Sequence, residues 1–125
     1  MGKKSISLKI ANVEDTDKED SVDEGKSETL SCTYHGALTL NKKVKLLKNV
    51  CPDNTYYFNG SLRVNESFSL NEGVIFILFG SVFYNHDLKL AENSQLNISG
   101  SVFFNGKVSL EEGATITVNG SPYLP

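Results

Sequence analysis

From Gly60 onward the sequence repeats every twenty residues, with Gly60-Ser61, Gly80-Ser81, Gly100-Ser101 and Gly120-Ser121 at constant spacing. A fixed period of this length is the mark of a repeat architecture. Counted from each glycine, apolar residues fall at offsets two and four (Leu62 and Val64, Val82 and Tyr84, Val102 and Phe104). They return at offsets eight and ten (Phe68 and Leu70, Leu88 and Leu90, Val108 and Leu110) and at sixteen and eighteen (Phe76 and Leu78, Leu96 and Ile98, Ile116 and Val118). Offset fourteen carries Val74, Ser94 and Ala114. Each apolar-x-apolar unit places both residues on one face of a strand.

Three such pieces per repeat, joined by tight turns, are satisfied when the chain coils and each strand pairs in parallel with its copy one coil away, about 4.8 Å off. The predicted fold is therefore all-β: a short parallel β-helix, or β-solenoid, of about four triangular coils. An antiparallel meander accepts the alternation but gives no reason for like residues at like offsets. Stacking gives that reason, and the turns show it. Offset five is Asn41, Asn65, Asn85 and Asn105, a side-chain ladder at one corner. Gly60, Gly80, Gly100 and Gly120 mark a second corner, where positive φ is expected. Gly73, Asn93 and Gly113 mark a third.

Departures from the ruler delimit the organisation. The first coil, from Gly36, runs twenty-four residues, and its four extra residues lie around Lys48 to Asn54, a protruding turn. At the other end "SPYLP" aligns with "SVFFN", so Pro122 falls on a strand position and the last coil ends in proline, blunted against end-on growth. Residues 30–125 form the solenoid domain. Residues 1–29 comprise a short alternating strand, with Ile6, Leu8 and Ile10 on one side, and an acidic linker. That linker holds eight acids between Glu14 and Glu28 against Lys18 and Lys26, with no aromatic residue, so it is read as solvated and mobile.

No twenty-residue apolar run is present to span a membrane, and "MGKKSISLKI" lacks the apolar core of a leader peptide. Cytoplasmic residence is the expectation, with a surface or secreted location if the sequence is a processed form. Cys32 and Cys51 make neither a metal spacing nor a disulfide framework, and two free thiols are expected.

Outward positions should be polar. "VIFILF", Val74 to Phe79, is apolar on both faces, and its outward residues are Ile75, Ile77 and Phe79, where later coils carry Gln95, Asn97 and Ser99. Either the N-terminal strand or a second molecule is expected to cover them. At offset three, Phe83, Phe103 and Tyr123 make an outer aromatic ladder suited to a protein or a sugar ring. Lys42, Lys43, Lys45 and Lys48 form a possible anionic-ligand patch, with a solvated face as the simpler reading. His86 sits at a turn, and there is no nucleophile elbow, phosphate loop or metal cluster, so no catalytic, cofactor or metal residues are assigned.

The segment "VSLEEGATITVNGS" resembles the tandem coils of bacterial adhesin-type β-solenoids, and the triangular helix-free plan is similar to bactofilins. The bactofilin resemblance implies a cytoplasmic scaffold with mobile tails. The twenty-residue coil, the small coil number and the proline ending depart from that pattern and argue against filament growth. The function expected is a non-enzymatic module that forms a homodimer and presents a face to another protein, with no small-molecule substrate and with nucleic acid and membrane disfavoured as partners. Alternatives are an inhibitor or immunity-type protein whose acidic segment imitates a phosphate backbone, and a glycan-binding adhesin fragment.

Overall fold

The computed structural model describes residues 32–125, so the Ser5–Val13 strand and the acidic linker expected from the sequence lie outside the described residues. The described chain is a parallel β-solenoid. Its strands are β1 (Thr33–Leu40), β2 (Val44–Leu46), β3 (Thr55–Val64), β4 (Phe68–Leu70), β5 (Ile75–Tyr84), β6 (Leu88–Leu90), β7 (Gln95–Phe104), β8 (Val108–Leu110), β9 (Thr115–Val118) and β10 (Ser121–Pro122). The short strands stack in the order β8-β6-β4-β2, and the long ones in the order β10-β9-β7-β5-β3-β1. Every stacked pair is parallel except β9 with β10.

The core is the set of even offsets. Leu62, Val64, Phe68, Leu70, Val74, Phe76, Leu78, Val82, Tyr84, Leu88, Leu90, Leu96, Ile98 and Ile116 are all buried, and Ser94 joins them with its hydroxyl donating to Ala91 O at 2.7 Å. Burying each large aliphatic or aromatic side chain contributes about 1.5 to 3 kcal/mol. Stacking multiplies that gain, because each inward residue meets its own counterpart above and below.

Contrary to expectation, the pieces on either side of Gly60, Gly80 and Gly100 are not separate strands but halves of one ten-residue strand. In β5, Phe76 and Leu78 are buried, Phe79 and Gly80 are both exposed, and Val82 and Tyr84 are buried again. Two successive outward residues mean that the strand turns a corner without leaving the ladder, and Gly60, Gly80 and Gly100 still pair with one another. The corner requires glycine for two reasons. Gly80 has φ +133°, and a Cβ there would lie 1.9 Å from the carbonyl oxygen of Gly60 one coil below.

The asparagine corner is as expected. Asn65, Asn85 and Asn105 each donate Nδ2–H to the Oδ1 of the asparagine one coil earlier, at 2.8, 2.9 and 2.7 Å. At the third corner Asn93 takes φ +61° between Gly73 and Gly113.

The two irregular regions depart further from expectation. Gly36 pairs with Gly60, twenty-four residues on, and the extra length forms a short 3-10 turn, Pro52–Asn54, whose Asp53 is left-handed at φ +56°. Asn54 Oδ1 accepts from Asn49 N at 2.7 Å, and the Tyr56 hydroxyl donates to Leu47 O at 2.8 Å. The cysteines, expected to be free, are instead paired. Cys32 and Cys51 are joined with their Cα atoms 5.6 Å apart, because the turn folds back onto the residue that leads into β1. Their separation of 19 residues is five short of the twenty-four-residue first coil, and the Pro52–Asn54 turn takes up the difference. Closing a loop of that length contributes about 3 kcal/mol.

At the C-terminal end the chain does not begin another parallel coil. Asn119 and Gly120 take φ values of +52° and +85°, a two-residue turn whose twist suits an antiparallel hairpin. Pro122 then faces Thr117, and Tyr123 N donates to Ile116 O at 2.8 Å. Asn119 replaces the missing strand at its corner, its Oδ1 accepting from Gly100 N at 2.9 Å and its Nδ2 donating to Gly100 O at 3.0 Å. The end is closed by a reversed strand and a side-chain amide rather than by proline on a parallel strand.

Candidate interaction surface

Parallel in-register stacking sorts the outward residues into columns that run across the coils. Ile75, Gln95 and Thr115 make one, level with the buried Thr55, and Thr33, Tyr57, Ile77, Asn97 and Thr117 make the next. His35, Asn59, Phe79 and Ser99 follow, and beyond the glycine corner come Thr39, Arg63, Phe83 and Phe103. The apolar outward residues of β5 thus form a stripe along one strand, bordered by polar residues of β7 except at Phe103.

Phe79 is 48 % exposed, Phe103 51 % and Tyr57 45 %, while Ile75, Ile77 and Phe83 are half-buried. Phe83 and Phe103 stack with ring centroids 4.8 Å apart and planes 15° apart. The guanidinium carbon of Arg63 lies 4.8 Å from the Phe83 centroid on the adjacent strand, so a cation caps the aromatic pair. Tyr123, the expected third rung, is elsewhere: the hairpin carries it onto the inward residue Phe104, at 4.5 Å between centroids. Phe103 is left as the last ring of the outer stack.

Tyr57 belongs to the stripe although the sequence did not single it out. The four extra residues hide its register when offsets are counted forward from Gly36, whereas counting back three from Gly60 places it level with Ile77. Arg63 precedes Phe83 in its column by the same rule.

Lys48 Nζ lies 3.3 Å from Glu72 Oε1, an exposed pair that contributes little to stability. Lys42 and Lys45 are also engaged, and Lys43 is exposed beside the asparagine corner. The depression of about 520 Å³ at the inserted turn is lined by Asn49 to Asn54 alone, the inner side of one loop rather than a meeting of elements. His86 is held in its turn, where Nδ1 accepts from Asp87 N at 2.8 Å. Among the described residues no group of three metal-capable side chains is present, and no helix is long and apolar enough to cross a membrane.

Inside the coil, the Tyr84 hydroxyl is buried with no hydrogen-bond partner, and burial pushes its phenol far above the usual range. It lies between Phe68, edge-on at 5.5 Å, and Phe104, stacked at 5.9 Å. The arrangement offers contact area and stacking on one outer face. Comparison with known proteins gives no further identification: no family model matches the chain, and neither curated proteins nor solved structures give a match.

Proposed function

We propose that this β-solenoid is a non-enzymatic protein-interaction module that self-associates as a dimer through the outer face of β5. The carrying observation is that Ile75, Ile77 and Phe79 are all apolar on the outside of one strand, while Gln95, Asn97 and Ser99 occupy the paired positions of the next. The inward pattern is indifferent to this choice, so the stripe is not a by-product of the fold. The five residues Ile75 to Phe79 before the Gly80 corner span about 17 Å.

A second copy is the occupant that suits the stripe. A twofold axis near Ile77 brings an apolar strand onto itself and leaves the polar residues of β7 at the rim. The Arg63–Phe83–Phe103 column, around the corner, remains as the face offered to another protein. The scaffold character implied by the resemblance to bactofilins agrees with this reading, but the reversed strand at the C-terminal end favours a closed dimer over a filament.

Sedimentation velocity of the full chain tests the proposal. The wild type should sediment as a dimer and Ile77→Asp as a folded monomer. A wild type that remains monomeric at high micromolar concentration would overturn it.

A further inference from the structure

The sequence contains four Asn-x-Ser acceptors: Asn59-Gly60-Ser61, Asn65-Glu66-Ser67, Asn97-Ile98-Ser99 and Asn119-Gly120-Ser121. Each is chemically competent for an N-linked glycan, but a glycan is compatible with the fold only where the amide is free and faces solvent. The structure separates the four. Asn65 is a middle rung of the amide ladder, donating to Asn41 and accepting from Asn85. Asn119 spans the N–H and carbonyl of Gly100 with both ends of its amide. Asn97 accepts from the Thr117 hydroxyl at 2.8 Å, and its Nδ2 lies 3.5 Å from Gln95 Oε1.

Asn59 alone is both exposed and without a side-chain hydrogen bond among the described residues. It points outward just before the Gly60 corner. A second observation, independent of the motif, is the Cys32–Cys51 disulfide, which forms and persists in the same oxidising compartments where N-glycan transfer takes place.

We infer that the protein matures in an oxidising secretory compartment and carries one N-linked glycan on Asn59. The transfer balances with a lipid-diphosphate-linked oligosaccharide as donor. Asn59 Nδ2 bonds to the anomeric carbon, the C–O bond to the diphosphate breaks with its electron pair leaving on the lipid diphosphate, and the amide releases one proton. The sugar emerges beside Tyr57, on the same face of β3 and at the rim of the Ile75–Phe79 stripe. The Tyr57 ring offers an apolar surface to the first sugar residue.

The test is intact and peptide-level mass spectrometry of the full chain secreted from a eukaryotic host behind a cleaved leader. Glycan is expected on Asn59 in most molecules, with Asn65, Asn97 and Asn119 unmodified and the cysteines oxidised. Asn59→Gln should remove the glycan. Ser61→Ala should do the same while keeping Asn59, and Ala37 already occupies the paired position one coil earlier. An unmodified Asn59, or equal occupancy at the other three acceptors, overturns the inference. Because the readout is mass, it stands or falls independently of whether the chain dimerises.

Discussion

Strands β5 and β7 are the same strand inside and different strands outside. Both are ten residues long, both turn at a stacked glycine, and Phe76, Leu78 and Val82 lie over Leu96, Ile98 and Val102. On the outside, Ile75, Ile77 and Phe79 face Gln95, Asn97 and Ser99. The interior holds both strands in one register, although Val102 and Phe104 are less buried than Val82 and Tyr84, whereas the exterior is free to vary. The apolar exterior of β5 ahead of the glycine corner is therefore not required by the shared interior.

The largest effect should come from the feature the two strands share most closely. Gly80→Ala and Gly100→Ala each place a Cβ within 1.9 Å of a backbone carbonyl at strongly positive φ, and each should lose more than about 4 kcal/mol or fail to fold in urea titrations. Gly73→Ala, with open space around it but at φ +72°, should cost only about 1 to 2 kcal/mol. Near-wild-type stability of Gly80→Ala would break the idea of a common frame.

Inward truncations come next. Leu78→Ala in β5 and the paired Ile98→Ala in β7 should each cost about 2 to 5 kcal/mol by chemical denaturation. A large difference between them would show that the two interiors are not equivalent after all.

The Tyr84 and Phe104 pair sharpens the comparison within one inward column. Tyr84→Phe removes a buried hydroxyl that has no partner, and should raise stability by about 1 to 3 kcal/mol. The sign with pH follows from the raised phenol. Below the ordinary tyrosine value of about 10 the group is neutral in both states and stability is flat. Above it the unfolded chain ionises while buried Tyr84 stays neutral, so wild-type stability falls as pH rises. Tyr84→Phe should flatten that alkaline loss, as measured by thermal melts from pH 8 to 11.

The smallest change in stability is expected outside. At dilutions where the wild type is monomeric, Ile77→Asp and Asn97→Asp should each shift unfolding by less than about 1 kcal/mol, yet at high micromolar concentration only Ile77→Asp should alter sedimentation. Equal behaviour in both assays would erase the distinction between the two exteriors.

Much of this frame was legible in the residues. Alternation on a fixed period separates Leu78 from Phe79, and the asparagines at offset five disclose their ladder because equal positions must stack. The joining of two sides into one strand was not legible, since side-chain pattern records facing but not whether backbone pairing continues through Gly80. The closing hairpin was hidden because Gly120-Ser121 keeps the repeat's spacing. The dipeptide Asn119-Gly120 is nonetheless a strong signal for a tight hairpin turn. Tyr57 and the disulfide were obscured by the same four-residue insertion, which displaces the ruler in the first coil.

By itself the sequence determined the pitch of the coil, its inward and outward faces and its corners, because each is a local property repeated until its stacked neighbours agree. Tertiary structure alone decided how the ends close, that Cys32 meets Cys51, that Tyr123 covers Phe104 rather than extending the outer stack, and which asparagine amides are free. Those features depend on residues with no counterpart one period away, so their partners are fixed only when the chain is folded.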